Sequence, residues 1–242
     1  MQILIIPDVH LKPYIFDAAE ILVNKYYFDK IIFIGDLVDD WYKSGNILLV
    51  KETIDRAIKF KKDHPNTLFC YGNHETGYLT GIHCDGNNSY HYIDIREMLI
   101  KYEKEVEPCI AYQIDNVIFC HGGIVNRKET DKGYESFKEM LNELKTTGYY
   151  NYGLYGNMHN QYDSVLWARP DSWINYYNCP QVIGHSPVKK ICEIKPQVWD
   201  VDVFSTDRDT GKPLSERAFM SIDTKTLDIT IYNEEEFKEA LS

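Results

Sequence analysis

Five short apolar runs dominate the hydrophobic pattern of the chain, and each ends abruptly in polar residues. They are rich in β-branched and aromatic residues. In chain order they read QILIIPDVH, KIIFIGDLVDD, TLFCYGNHE, VIFCHGG and QVIGHSP. A short apolar run bounded by turn residues is typical of a buried strand. The pattern therefore predicts five buried strands, each leading into a polar loop.

Apolar residues recur at helical spacing between the first three runs. Residues 16–26 and 47–62 are therefore predicted to be helices, which gives the order βαβαβ. In open α/β sheets, the loops that leave the carboxyl ends of the strands converge on one crevice, where ligands bind. We therefore expect the five polar clusters to lie together.

Two segments read as insertions into this pattern. Residues 76–89 contain three glycines and two adjacent asparagines, and residues 124–179 contain a predicted helix near 134–145 followed by many aromatic residues. The aromatic residues are Tyr149, Tyr150, Tyr152, Tyr155, Tyr162, Trp167, Trp173, Tyr176 and Tyr177. We expect this Tyr-rich segment to form a packed cap, with a recognition surface as the alternative.

The last part of the chain predicts strands again. Apolar stretches at residues 198–204, 218–222 and 227–232 indicate an antiparallel meander, with a turn near residues 209–213. The chain has 242 residues, is 44% hydrophobic and 14% aromatic, and shows no internal repeat or linker. We expect a single domain over residues 1–242.

Charge and cysteine usage exclude some classes of protein. The formal net charge is -11 and the basic residues form no run, which argues against binding of duplex nucleic acid. The six cysteines form no CxxC pair, and nowhere do 18 consecutive apolar residues occur. We expect a cytoplasmic protein with reduced cysteines and no membrane contact.

The polar clusters supply carboxylate, amide and imidazole groups but no cysteine. Oxygen and imidazole ligands together suit borderline divalent ions, with manganese placed first and iron, zinc or nickel as alternatives. The candidate ligands are Asp8, His10, Asp36, Asn73, His121 and His185. Six ligands are too many for one tetrahedral zinc, whereas two ions that share a carboxylate would use them all. The sequence therefore predicts two divalent metal ions.

The motifs have an order that resembles a known family. They are Asp8-x-His10, Gly35-Asp36-x-Val38-Asp39, Gly72-Asn73-His74-Glu75, His121-Gly122-Gly123 and Gly184-His185. This order is similar to that of the calcineurin-like metallophosphoesterases, in particular the phosphoprotein phosphatase superfamily. The Trp167-Ala168-Arg169 segment before Gly-His-Ser-Pro places the resemblance nearest the small bacterial and bacteriophage members. The resemblance implies an α/β fold, a β-sandwich flanked by helices, with a helical and Tyr-rich cap insertion at about 124–179.

The resemblance also implies roles for individual residues. Asp8, His10 and Asp36 would hold one metal ion. The second ion would bind Asp36, Asn73, His121 and His185, so that Asp36 bridges the two. His74 would protonate the leaving alkoxide, with Asp39 orienting its imidazole, and Arg169 and Asn73 would contact the substrate phosphate. A hydroxide bridging the ions would attack the phosphate in line.

Two positions depart from the family pattern. Asp39 is followed by Asp40 and Trp41, where relatives continue Asp-Arg-Gly and use that arginine to bind phosphate. We expect Asp40 to repel a phosphate dianion and to lie with Trp41 in a solvated loop, or Trp41 to wall the substrate groove. Arg127 and Arg56 are candidate replacements for the arginine. Leu11 also occupies the place of a glycine after His10.

The first functional interpretation is a phosphomonoesterase that acts on phosphoserine, phosphothreonine or small phosphate esters. The partner is thus a phosphorylated protein or small molecule. A dinucleoside polyphosphate hydrolase is the main alternative, followed by a nuclease or phosphodiesterase and by a non-catalytic scaffold. Diesterase relatives usually end in Gly-His-x-His, and here the last position is Pro187. The four other histidines, His64, His83, His91 and His159, are predicted to lie outside the site.

Overall fold

A computed structural model describes residues 1–43, 45–130, 134–150, 165–169 and 176–241. Within these ranges, eleven strands form two sheets. In chain order the elements are β1 (Gln2–Ile6), α1 (Tyr14–Lys25), β2 (Lys30–Phe33), α2 (Ile47–Asp63), β3 (Thr67–Phe69), α3 (Asn73–Thr80), α4 (Tyr92–Val106), β4 (Ala111–Ile114), β5 (Val117–Cys120), α5 (Tyr134–Thr147), β6 (Tyr149–Tyr150), β7 (Gln181–Ile183), β8 (Cys192–Lys195), β9 (Val198–Asp200), β10 (Ala218–Asp223) and β11 (Ile229–Asn233). Two short 3-10 helices, Glu234–Glu236 and Lys238–Leu241, follow.

The first sheet has the strand order β11-β10-β1-β2-β3. Strands β1, β2 and β3 run parallel, and β10 and β11 extend the sheet in antiparallel pairing. The predicted βαβαβ unit is confirmed, with α1 and α2 as its two connecting helices. The carboxyl ends of β1, β2 and β3 therefore lie at one edge of the sheet.

The second sheet has the order β6-β4-β5-β7-β9-β8. Strand β7 lies between β5 and β9 and runs parallel to both. The predicted meander is therefore wrong in part: β10 and β11 pair as expected, but β9 belongs to this sheet. All three residues of β9 are buried, because both of its faces are covered by protein. An apolar pattern of this kind identifies a buried strand but not its neighbour.

Alternate residues of the strands enter different cores. Ile3 and Ile5 belong to a layer between the two sheets, to which Val182 and Trp199 of the second sheet contribute. Leu4 and its neighbours on the other face pack against the helices α1, α2 and α4. A third cluster covers the outer face of the second sheet. The α/β sandwich with flanking helices is thus confirmed.

The two predicted insertions are partly described. Residues 76–89 begin inside α3, and α4, which the sequence analysis missed, follows them. The predicted helix at 134–145 is confirmed as α5, which packs Met140 and Leu144 on the second sheet. Part of the Tyr-rich segment and its surroundings lies outside the described residues, including Tyr152, Tyr155, His159, Tyr162 and Trp173. The cap stays a prediction. Among the described helices, none is long and apolar enough to cross a membrane.

Candidate metal and catalytic site

The predicted site residues come together where the parallel strands of both sheets end. Those that line one cavity of about 470 Å³ are His10, Asp36, Asn73, His74, Arg169 and His185. Three others, Asp8, Asp39 and His121, are fully buried. The two sheets contribute to the same place because β1, β2 and β3 in one sheet and β5 and β7 in the other all lead into it. The expected convergence of the five polar clusters is confirmed.

The loops of the site contain backbone in the left-handed region. His10 has φ 43, Asp36 φ 48, Asp39 φ 65 and His185 φ 70. Such conformations cost non-glycine residues of order 1 kcal/mol or more and persist only where the surroundings fix them. Leu11, at the position of the usual glycine, shares this conformation with φ 55 and is fully buried. Its burial in the core offsets the strain that glycine would avoid.

Two glycines allow the loops to approach the carboxylates closely. A Cβ atom at Gly72 would overlap the Asp36 carboxylate, and one at Gly184 would overlap Asp8. Glycine is therefore required at both positions by the close approach itself.

One oxygen of Asp36 is the centre of the site. Its Oδ2 lies 3.2 Å from Nε2 of His121, 3.5 Å from Nε2 of His10 and 3.9 Å from Nε2 of His74. The other oxygen, Oδ1, accepts a hydrogen bond from the backbone N–H of His74 at 3.1 Å. A carboxylate placed among three imidazoles is suited to share two cations.

Hydrogen bonds fix the tautomers of two of these histidines. Nδ1 of His10 lies 2.9 Å from the carbonyl oxygen of Asp39, and Nδ1 of His121 lies 3.2 Å from that of Ile34. A carbonyl oxygen only accepts, so Nδ1 carries the proton in both rings. Each Nε2 then presents a lone pair toward Asp36, as a metal ligand would.

A second set of possible metal-ligand atoms lies around His121. Its Nε2 lies 2.9 Å from Oδ1 of Asn73 and 3.1 Å from Nδ1 of His185. Ligand atoms close enough to share a cation form two groups, His10 with Asp36 and His74, and Asp36 with His121 and His185. The second group agrees with the predicted second ion. The first group contains His10 and Asp36, two of the predicted ligands of the first ion, with His74 beside them; Asp8 is not in this group.

The buried charges of the site fit divalent cations. Oδ1 of Asp8 is buried and has no hydrogen-bond partner among the described residues. Burial and the carboxylates of Asp202 and Asp36 raise the pKa of Asp8 well above its usual value. Burial lowers the pKa of His10 to about 4 and that of His185 well below its usual value, despite the attraction of Asp36. Neutral imidazole is the form that binds metal, and a bound cation would offset the repulsion among the crowded carboxylates.

His74 differs from His10 and His121 because its Nδ1 meets a buried carboxylate, whereas theirs meet backbone carbonyl oxygens. Its Nδ1 donates to Oδ2 of Asp39 at 2.9 Å. Burial alone would lower the pKa of His74, but Asp36 and Asp39 outweigh it and raise this pKa to about 9. Tyr78 and Asn87 hold Asp39 in place by donating to its two oxygens at 2.7 Å each. The geometry can keep a proton on His74.

A family model described as calcineurin-like phosphoesterase matches residues 1–199. The chain belongs to the calcineurin-like phosphoesterase family. The resemblance seen in the motifs is thus confirmed. Membership makes the protein a hydrolase of phosphoesters with a metal site. A comparison of the sequence with curated proteins gives no match.

Solved structures with a similar architecture include two phosphoesterases. One is a protein serine/threonine phosphatase from Saccharomyces cerevisiae with similarity to human phosphatase PP5; it is 16% identical, with a TM-score of 0.57, and the match covers 96% of this chain and 80% of that one. The other is a metallophosphoesterase from Sphaerobacter thermophilus, 13% identical with a TM-score of 0.45, covering 99% and 93%. At this identity, the similarity to the yeast protein shows the fold.

The position at which this phosphoesterase departs from the family pattern is not a solvated loop. Asp40 is buried and accepts a hydrogen bond from Nζ of the buried Lys12 at 3.2 Å. Burial alone would raise the pKa of Asp40, but Lys12 and Thr206 lower it below its usual value. The expected repulsion of a phosphate dianion is therefore offset by a neighbouring cation. Trp41 lines the cavity, which agrees with the alternative interpretation.

The three arginines that the sequence offered as phosphate ligands, Arg169, Arg56 and Arg127, differ in whether they reach the cavity. Arg169 lines the cavity and donates from Nη1 to the carbonyl oxygen of His185 at 3.0 Å and to Oγ of Ser186 at 3.2 Å. Arg56 pairs with Asp17 on the helical surface. Neither Arg56 nor Arg127 belongs to the described lining of the cavity. The described lining therefore supports neither of them as the replacement for the missing arginine.

Several residues near the site were missed from the sequence. Asp200 is the last residue of β9, and Asp202 follows that strand. Asp202 lines the cavity at the same edge as the other polar clusters. Polar residues that follow a buried parallel strand are candidates for the site. Asp200 and Asp202 would have been found in this way if β9 had been predicted to run parallel to β7. His83, predicted to lie outside the site, also lines the cavity. His64 and His91 instead pair with surface carboxylates.

Proposed function

We propose that this phosphoesterase hydrolyses phosphate monoesters, on phosphoserine or phosphothreonine proteins or on small molecules, with two divalent ions. The observation that carries the proposal is the position of the His74–Asp39 pair. A buried imidazole whose Nδ1 is hydrogen-bonded to Asp39 lies beside the central carboxylate, Asp36, with Nε2 and Oδ2 3.9 Å apart. Alkyl phosphates have poor leaving groups, and their hydrolysis needs such an acid.

Metal ligands are assigned by position and by donor chemistry. Asp8, His10 and Asp36 would hold one ion, while Asn73, His121 and His185 with Asp36 would hold the other. When bound, such ions acidify water and withdraw charge from phosphate oxygens. Manganese is our first candidate because the donor set mixes oxygen with neutral imidazole nitrogen.

The remaining polar groups supply the acid and the phosphate contacts. With Nδ1 held by Asp39, His74 has its Nε2 proton available for the departing oxygen. Two of the five guanidinium N–H groups of Arg169 suffice for its bonds to His185 and Ser186, which leaves others for a phosphate oxygen. Asn73, at the start of α3, would contact both phosphate and metal.

The alternatives make different demands on the site. A diesterase resembling the Gly-His-x-His relatives would need a second histidine where Pro187 lines the cavity. A scaffold would not need the full set of ligands, all of which are present. Dinucleoside polyphosphates stay the main alternative substrate. The net charge of -11 supports a partner other than duplex nucleic acid, and the six free cysteines support a cytoplasmic location.

A substrate panel tests the proposal. The purified protein is assayed with p-nitrophenyl phosphate, bis-p-nitrophenyl phosphate, a phosphothreonine peptide and diadenosine tetraphosphate, each with Mn²⁺, Ni²⁺, Zn²⁺ or Mg²⁺. We expect the monoesters to have the highest kcat/KM. Preference for the bis-ester would contradict the proposal, and preference for diadenosine tetraphosphate would favour the alternative.

A further inference from the structure

Residues 205–214 form a short hairpin that walls the cavity. Thr206 and Pro213 pair as an antiparallel bridge, and the backbone N–H of Leu214 donates to the carbonyl oxygen of Ser205 at 3.1 Å. At the tip, the N–H of Asp207 donates to the carbonyl oxygen of Lys212 at 2.8 Å. Residues 205–209 and Leu214 line the cavity together with the candidate metal ligands. The hairpin is thus part of the site.

The 205–214 hairpin is tethered to the loop that departs from the family pattern. Oγ1 of Thr206 donates to Oδ2 of Asp40 at 3.0 Å, the same oxygen that accepts from Lys12. Gly211, with φ 66, lies against the ring of Tyr42. Asp40, at the position where relatives have an arginine, therefore anchors this hairpin.

The hairpin carries an arginine to the cavity. The guanidinium of Arg208 lies over the ring of Trp41, 4.2 Å from its centroid. The same ring makes an edge contact with His74, with centroids 5.4 Å apart. A cation stacked on an indole loses part of its side-chain freedom and keeps its N–H donors for a ligand. The stack thus holds Arg208 on the same indole ring that the proposed acid contacts.

We propose that Arg208 binds the phosphate group of the substrate, as the second guanidinium of the site beside Arg169. This inference rests on the proposed function and names a residue for it. Arg208 and Arg169 are the arginines of the described cavity lining. Of the neighbouring carboxylates, Asp207 uses its Oδ1 within its own turn, where it accepts from N and Oγ1 of Thr210 at 2.8 and 2.7 Å. A pair of guanidinium groups gives a phosphate dianion charge-assisted hydrogen bonds on two sides.

Binding of inorganic phosphate tests this role without turnover. Calorimetric titration of the Mn²⁺-loaded protein compares wild type with Arg208→Gln, Arg208→Lys and the control Arg56→Gln. Arg208→Gln is expected to raise the Kd by about tenfold or more, the usual effect of losing a hydrogen bond to a charged group. Arg208→Lys should fall between it and wild type, and Arg56→Gln should match wild type. Metal content should be equal in all four proteins.

Kinetics and a double variant complete the test. With p-nitrophenyl phosphate, Arg208→Gln should raise KM more than it lowers kcat. Thr206→Val, which removes the hydroxyl that donates to Asp40, should weaken phosphate binding less than Arg208→Gln and add nothing in the Arg208→Gln background. Phosphate binding unchanged in Arg208→Gln, or weakened equally in Arg56→Gln, would overturn the inference. A wild-type protein that binds phosphate but hydrolyses no monoester would instead overturn the proposed function alone.

Discussion

His74 is held by Asp39 on one ring nitrogen, and its other nitrogen faces Asp36 in the cavity. This arrangement predicts that His74→Asn lowers the rate on an alkyl phosphate by about 10² to 10⁴, the usual contribution of an acid catalyst. The loss should be smaller for p-nitrophenyl phosphate, because p-nitrophenolate leaves without a proton. The measurement is kcat on both substrates with metal content. His83→Asn, at another histidine of the same cavity, is the control. Equal losses on both substrates in His74→Asn would contradict the assignment.

Replacement of Asp39 is predicted to change the pH dependence of the rate on an alkyl phosphate. The acid form of His74 is present below its pKa and is lost as pH rises through it, so the rate on an alkyl phosphate should fall on the alkaline side. Asp39→Asn removes a charge that raises this pKa. The alkaline fall should therefore move to lower pH, by about one unit or more. An unchanged profile of kcat/KM against pH would show that Asp39 does not set the proton affinity of His74.

The residues that could be predicted from the sequence are those that directly follow an apolar run. Asp8, Asp36 and His121 were found because a buried strand precedes each of them. Asp202 and Arg208 depend on which strand β9 pairs with and on where a hairpin folds back. Those facts are set by contacts between distant parts of the chain, and a local pattern does not contain them.

At the scale of elements, Glu75 joins two loops of the site. Its carboxylate accepts hydrogen bonds from four backbone N–H groups, those of Asp36, Leu37, Val38 and Gly72. The first turn of α3 thereby fixes the loop after β2. Because Glu75 lies in the third motif, its position was evident from the sequence, but this clamp was not.

Glu75→Gln is therefore predicted to destabilise the fold. An amide has a single acceptor oxygen, and its NH₂ group would face backbone donors. We expect the free energy of unfolding to fall by about 3 kcal/mol, in the range for losing buried hydrogen bonds to a charged group. Urea denaturation in the presence of a chelator measures this. Glu97→Gln, which changes an exposed glutamate of α4, should have no such effect. Equal stability of the two variants would contradict the clamp.

The helix α4 was missed although its buried residues have helical spacing. Ile95, Leu99, Tyr102 and Val106 all lie on one side of it and pack in the core under the first sheet. The seven charged residues between positions 94 and 105 hid this stripe. The second sheet was harder to foresee, since its strands β4, β6 and β8 are short and partly polar.

At the scale of the whole molecule, two sheets bring buried carboxylates to one place, among them Asp8, Asp36, Asp200 and Asp202. Asp202 and Asp36 raise the pKa of Asp8, after the effect of burial itself. The folded state should therefore gain stability from bound cations, because unfolding would release them. Saturating Mn²⁺ is predicted to raise Tm by about 5 °C or more over the chelated protein. In Asp36→Asn, which weakens both proposed ion sites, the increase should be much smaller. A wild-type Tm that does not respond to Mn²⁺ would contradict the site.

The number of ions needed for turnover decides whether the site works with two metal ions. Metal-free protein is titrated with Mn²⁺ at a protein concentration above the Kd, and hydrolysis of p-nitrophenyl phosphate is followed together with bound metal by elemental analysis. We predict that activity is absent without metal and rises to its maximum at two ions per chain, because Asp36 joins two groups of ligands. Full activity at one ion per chain, or turnover that persists in the chelated protein, would contradict it.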